Sequence, residues 1–311
     1  LTLTPSIAEI ATTPKNFEHG INRIAISTDG FRVAISDIEM NVSVYHEADL
    51  IYTANFGSIS EKIKPTERIR GLAFSPKADI LYVAAGEAVQ AIRIANLEIE
   101  WTYVAPRSFG FLIISPICLD VSEDGDVVAA FDNGSIGVWD AHGVMKALWH
   151  DNDSPRTVRF VPGGEEIVGT DSFSLCVWDI KKRKRRFKLS IDGRVYGMDV
   201  HPSGDFAAAR RLQDVVVWDL VARAKICEIP VAPGIPIMAM HPYERWVACG
   251  ERNRIKVTDF DGTVVQTHIL PVASALCFAF THSGSELLVG CTKHELIRIP
   301  MTIIDEPWRP V

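Results

Sequence analysis

The chain has 311 residues, 47% of them hydrophobic and 23% charged, a composition that excludes a disordered, collagen-like or disulfide-dense protein. Its 32 basic and 39 acidic residues give a net charge of −7, which argues against a globally basic nucleic-acid binder. No apolar run reaches the roughly 18 residues of a membrane-spanning helix, and length alone suggests about two domains, although all-β barrels run longer as one.

The charge is uneven. Residues 181–186 read Lys-Lys-Arg-Lys-Arg-Arg, and outside them 26 basic residues face 39 acidic ones. The first twenty residues lack a basic segment followed by an apolar one, so they do not read as a signal peptide. The start at Leu1 rather than Met reads either as that of a domain cut from a longer protein or as that of a chain with residues missing ahead of it. The stretch Pro-Ser-Ile-Ala-Glu-Ile-Ala at 5–11 alternates like a strand and has no repeat of its own.

From there a turn recurs along the chain: Ser-Thr-Asp-Gly (27–30), Ser-Pro-Lys-Ala-Asp (75–79), Ser-Glu-Asp-Gly-Asp (122–126), Val-Pro-Gly-Gly-Glu (161–165), His-Pro-Ser-Gly-Asp (201–205), His-Pro-Tyr-Glu (241–244) and His-Ser-Gly-Ser-Glu (282–286), the last with Thr281 ahead of it as its first residue. The second residues of the turns, 28, 76, 123, 162, 202, 242 and 282, mark seven units with a period of about forty, the signature of a repeat architecture. Val-Trp-Asp keeps the same phase, placing Trp139, Trp178 and Trp218 each sixteen residues after its marker. That offset reaches Thr258 and Arg298, and one residue more reaches Tyr45 and Arg93. Between markers lie short apolar or alternating runs. In the second unit these are 71–74, 80–85, 89–94 and 97–104, with Gly, Pro, Asp or Asn at most joins, which predicts four strands per unit. A four-stranded sheet this short cannot bury both faces alone, so the units are expected to stack around an axis.

The three Val-Trp-Asp signals and seven phased turns make residues 21–305 resemble the WD-repeat family. The resemblance implies an all-β, seven-bladed β-propeller of four-stranded antiparallel blades, a single domain over 1–311. The blades are expected at about 21–56, 67–104, 115–150, 154–190, 193–230, 234–270 and 273–305, with 5–11 supplying the outer strand of blade 7. The chain departs from the family pattern in having no Gly-His dipeptide at the repeat starts. The family's aspartate after the second strand, which bonds to the tryptophan strand, is read only at Asp132 and Asp171.

In such a ring the turns after strands one and three share one face, here the bottom, and those after strands two and four share the top. The bottom turns collect Asp29, Asp79, Glu123, Asp124, Asp126, Glu165, Glu166, Asp205, Glu244 and Glu286 against Lys77 and Arg245. The top carries Arg68, Arg70, Arg107, Arg156, Arg194, Arg210 and Arg211 among mixed acids. These arginines are the candidate site for an acidic or phosphorylated segment, since the guanidinium fork matches carboxylate and phosphate. Lys181, Lys182, Arg183, Lys184, Arg185 and Arg186 fall on the turn between the third and fourth strands of blade 4. A solvated hairpin that protects an edge is weighed there against a contact for nucleic acid or anionic lipid, or a nuclear-localisation-like patch.

No phosphate loop, dinucleotide fingerprint, nucleophile elbow or zinc-protease motif occurs. His201, His241 and His282 recur at one turn phase, and Asp120 and Asp199 lie on first strands; neither set is read as a metal site. Six dispersed cysteines read as buried hydrophobes of a reducing compartment. The expectation is a non-catalytic interaction scaffold or sensor domain, a monomeric ring without cofactor, cytoplasmic with a nuclear location as the variant. The alternatives are a propeller hydrolase of lactonase type, or a lipid or nucleic-acid adaptor acting through 181–186.

Overall fold

The computed structural model describes residues 19–46, 49–56, 68–106, 113–151, 155–232, 237–251, 253–270, 275–292 and 296–301. Its regular elements form seven antiparallel meanders. Blade 1 comprises β1 (Ile21–Ile26), β2 (Arg32–Asp37), β3 (Asn41–His46) and β4 (Asp49–Asn55), and blade 2 comprises β5 (Ile69–Phe74), β6 (Ile80–Ala85), β7 (Ala88–Arg93) and β8 (Ile99–Val104). Blade 3 holds β9 (Pro116–Val121), β10 (Val127–Phe131), β11 (Ser135–Trp139) and β12 (Met145–His150), and blade 4 holds β13 (Thr157–Phe160), β14 (Glu166–Thr170), β15 (Ser174–Asp179) and β16 (Lys184–Ser190). Blade 5 follows with β17 (Gly197–Val200), β18 (Phe206–Arg210), β19 (Asp214–Asp219) and β20 (Ala224–Pro230), and blade 6 with β21 (Met238–Met240), β22 (Trp246–Gly250), β23 (Arg254–Asp259) and β24 (Val264–Ile269). Blade 7 has three strands among the described residues, β25 (Ala275–Phe280), β26 (Glu286–Cys291) and β27 (Leu296–Pro300). The closing strand expected at 5–11 lies outside the described residues.

The residue pattern explains this order. Second strands such as Val-Val-Ala-Ala-Phe (β10) are buried at every position, because a neighbouring blade covers each face. Fourth strands such as Lys-Arg-Arg-Phe-Lys-Leu-Ser (β16) alternate between exposed and half-buried, as an outer edge with one wet face requires. Seven hydrophobic clusters fill the seven blade interfaces. The last joins Ile21, Val33, Ile35 and Tyr45 of blade 1 to Cys277, Leu288 and Leu296 of blade 7. The innermost strands adjoin in the sequence β1, β5, β9, β13, β17, β21, β25 and back to β1. The molecule is therefore a closed seven-bladed β-propeller.

The phased turns join the first and second strands of the blades. In six of them the fourth residue donates its N–H to the first residue's carbonyl, as from Gly30 to Ser27, Gly204 to His201 and Gly284 to Thr281. That fourth residue has positive φ and is glycine in every case except Ala78, the residue preference this backbone region imposes.

The tryptophan position shifts in two blades. A bulge between the third and fourth strands marks it at Tyr45, Trp139, Trp178, Trp218 and Thr258, and in blade 2 the same bulge falls at Ile92 rather than Arg93. In blade 7 the strand pairing sets Ile299 opposite Leu287, where Trp178 stands opposite Ile167 and Trp218 opposite Ala207. The site is buried in all seven blades, which excludes an unpaired arginine; Arg93 instead lies on the surface, paired with Glu100.

Candidate partner-binding site

On the top face three segments of blades 4 and 5 meet. They are the β14–β15 turn with Ser172 and Phe173, the connection 191–196, and the β18–β19 turn with Arg211 and Leu212. Backbone bonds weld them: Ile191 N–H donates to Phe173 O (2.8 Å), Val195 N–H to Ser172 O (2.9 Å) and Tyr196 N–H to Arg210 O (2.9 Å). The result is a fixed surface on which Phe173 is 60% exposed, Leu212 47% and Tyr196 45%. Exposed apolar side chains held together in one place, unlike single scattered ones, mark interaction sites.

Arginines frame the apolar residues. Arg194 lies over the Tyr196 ring, 5.5 Å from its centroid, and Arg156 donates from Nε to Ser172 Oγ at 3.1 Å. Among the described residues neither has a carboxylate at ion-pair distance, so both keep charge to offer. Arg211 is already committed, forking onto Asp214 and donating to the carbonyl of Asp192. Arg68 and Arg70 are exposed, but they sit at the start of β5 in blade 2, away from this cluster. Arg107 lies outside the described residues.

Arg210 corrects the sequence reading. It is fully buried, and its guanidinium donates to the backbone carbonyls of Arg211 (2.6 Å), Asp214 (3.0 Å) and, in blade 6, Gly250 (3.5 Å). Arg210 ends β18, a second strand covered on both faces by neighbouring blades, whereas Arg211 is the first residue of the turn that follows. Phe173, Tyr196 and Leu212 were missed because the sequence search on this face followed charge. The signal available for them was an apolar residue inside a turn.

The basic run is largely neutralised. Lys181 pairs with Glu165 (3.2 Å), Lys182 with Asp179 (2.7 Å), Arg185 with Asp151 (3.9 Å) and Arg186 with Glu166 (2.5 Å). Only Lys181 to Arg183 occupy the turn; Lys184, Arg185 and Arg186 open β16. A polyanion would have to displace the blade's own acids.

The tryptophan-strand contacts are divided. Asp171 is buried and accepts from Ser174 Oγ on β15 at 2.5 Å and from Phe173 N at 2.6 Å, while Asp132 is exposed and accepts from Ser115 N. Asp132 thus turns toward its own first strand, and Asn133 takes the bonds to Ser135 on the tryptophan strand. Trp139, Trp178 and Trp218 are all buried. The indole of Trp178 donates to Asp151 Oδ2 at 2.5 Å, a partner at the end of the preceding blade.

In the central channel Asp120 accepts from Phe160 N (2.8 Å) and Asp199 from Met240 N (2.9 Å), each reaching the next blade. Arg159 stands between them, 3.6 Å from Asp199. Burial pushes the Asp120 carboxyl above its usual range against the pull of Arg159. Both acids thus serve as ties between blades. Among the described residues no three His, Cys, Asp or Glu side chains gather to hold a metal ion.

His241, one of the phased histidines, is a structural group. Its Nδ1 accepts from the backbone N–H groups of Tyr243 (3.2 Å) and Glu244 (2.9 Å), so Nε2–H donates to Gly284 O (3.0 Å). A side chain on Gly284 would strike the imidazole at 2.4 Å. Burial lowers the pKa of His241 from 6.5, as it does for His201 and His268. The unfolded chain therefore takes up protons first as pH falls. The stability held by the neutral rings is complete above the ordinary histidine pKa of 6.5 and is lost as the pH falls through the lowered values of the folded state. The melting temperature is expected to drop in that window, and less so in His241→Gln; a flat profile would show that the imidazole protonates in place.

None of the six cysteines is in a disulfide and five are buried. Burial pushes Cys176 and Cys227 up to about 11 and Cys249 and Cys277 up to about 12, which keeps them protonated and unreactive. No helix among the described residues is long and apolar enough to cross a membrane.

Fold and surface together define a β-propeller with a rigid apolar patch, flanked by two available arginines, on its top face. No protein-family model and no curated protein matches the chain.

Proposed function

We propose that this protein is a WD-repeat-type propeller acting as a non-catalytic interaction platform. Its top face at blades 4 and 5 receives a partner segment that carries apolar side chains beside carboxylates or phosphates. The observation behind this reading is the cluster of Phe173, Tyr196 and Leu212 flanked by Arg156 and Arg194. Aromatic residues and arginine are the groups that dominate protein interfaces, and a pre-ordered surface loses little entropy on binding. The family assignment draws on the three Val-Trp-Asp strands with buried indoles and on Asp171 bonded to β15. An intracellular, reducing setting suits six cysteines outside any disulfide.

The test is a peptide array in which Asp, Glu and phosphoserine are varied beside aromatic residues. Wild-type protein should retain acidic-aromatic peptides, and less so as salt rises. Arg156→Glu/Arg194→Glu and Phe173→Ser/Tyr196→Ser should each lose at least tenfold in affinity without a change in melting temperature. Retention that ignores both pairs of substitutions would remove the top face from consideration.

A further inference from the structure

The bottom face carries a second, chemically opposite feature. A cleft of about 410 Å³ opens between blades 2 and 3, bounded by the turns 75–79 and 123–125, Ala141 and His142, and the paired Arg93 and Glu100. Trp101 forms one wall. Its indole N–H donates to Ala141 O at 3.1 Å, and its ring packs against Tyr82 (5.8 Å) and Trp139 (6.3 Å). Gly143 has a φ of 79°, and a Cβ there would lie 2.6 Å from Trp101 Cγ, so the indole is seated on bare backbone.

The charge in the cleft is unbalanced. Arg93 is used by Glu100. Glu123 and Asp124 have no side-chain hydrogen-bond or ion-pair partner among the described residues, the Asp79 carboxylate accepts from Ser75 Oγ, and Lys77 is the one uncommitted cation among the lining residues. An independent observation points to a missing hydrogen-bond partner. Tyr82 lines the cleft and is fully buried, yet its hydroxyl has no partner. Leaving a buried hydroxyl unpaired is costly, and such groups are rare unless a ligand or water completes them. Burial, reinforced by Asp79, Asp140 and Asp126, pushes the phenol up to about 12, so it stays neutral with its oxygen free to accept.

We propose that this cleft receives an arginine side chain of a partner protein. The guanidinium lies between Glu123, Asp124 and the Tyr82 hydroxyl, and the alkyl stem runs along Trp101. Guanidinium suits the place because it stacks on an aromatic ring while its N–H groups fan out to several acceptors. The cleft is on the opposite face from the Phe173 patch, so loss of either site leaves the other measurable.

The probe is the peptide acetyl-Gly-Gly-Arg-Gly-Gly-amide, with citrulline in place of arginine as the neutral isostere. Binding is followed by the NMR resonance of the Trp101 indole N–H, assigned with Trp101→Phe. The arginine peptide should shift this signal saturably and the citrulline peptide should bind at least tenfold more weakly. Glu123→Gln/Asp124→Asn, both at an exposed turn, should weaken the arginine peptide about tenfold. Tyr82→Phe should weaken it several-fold with an unchanged or higher melting temperature, a combination that lost folding would not produce. The proposal is overturned by the absence of a saturable shift, by equal affinity for citrulline, or by wild-type affinity in the Glu123/Asp124 variant.

Discussion

Trp178→Ala is expected to destabilise the ring by about 3–5 kcal/mol, the range for emptying a buried tryptophan site. The indole is 1% exposed and packs with Cys118, Ile136, Val138, Val158 and Ile167 at the interface of blades 3 and 4. Gly169 leaves room for it: a Cβ at that position would stand 3.0 Å from the ring and 2.3 Å from the Thr157 carbonyl. The loss has a polar part as well, because Asp151 is itself buried and accepts from the indole N–H. Trp178→Phe, which keeps most of the volume and removes that donor, is expected to cost about 1–3 kcal/mol. Urea denaturation midpoints of the two variants separate the contributions. A loss below about 1 kcal/mol in the alanine variant would mean that the interface closes around the gap.

Arg210→Ala is expected to cost roughly 2–4 kcal/mol, from the lost packing of a buried stem and from carbonyls deprived of their donors. Arg194→Ala, an exposed change on the same face, should stay within about 0.5 kcal/mol. Arg210→Lys keeps the charge but not the fork that bonds Arg211 O, Asp214 O and Gly250 O, so it should fall between them. Denaturation of the three variants reads this order directly. Equal stability of Arg210→Ala and Arg194→Ala would show that the guanidinium contributes nothing to holding blades 5 and 6 together. The comparison also separates fold from recognition, since the patch argued for binding contains Arg194 and excludes Arg210.

The boundary between legible and illegible runs through single residues. The turn at 201–205 could be read because its geometry is local: a hydrogen bond from Gly204 to His201 and one residue with positive φ. Arg93 and Arg298 were assigned to the tryptophan position because counting along the chain cannot see a β-bulge or a change in pairing. The neighbours that bury Ile92 and Ile299 come from other strands. The basic run reads as a free polycation since Asp151, Glu165 and Glu166, which pair with it, stand 16 to 34 positions upstream of their partners. Arg210 and Arg211 are adjacent in the chain and opposite in role, and only the point at which β18 ends and its covering blades stop tells them apart.

The sequence by itself determined the repeat, the number of blades and the β architecture. A forty-residue period, short apolar runs and locally bonded turns are properties of neighbouring residues, and a sheet with two apolar faces has few ways to cover both. Tertiary structure decided which surfaces remain available. Exposure of Phe173, pairing of Lys182 and Arg186, burial of Arg210 and the unpartnered hydroxyl of Tyr82 each depend on what another blade or strand brings alongside. Charge and hydrophobicity become sites only after those distant partners have taken their share.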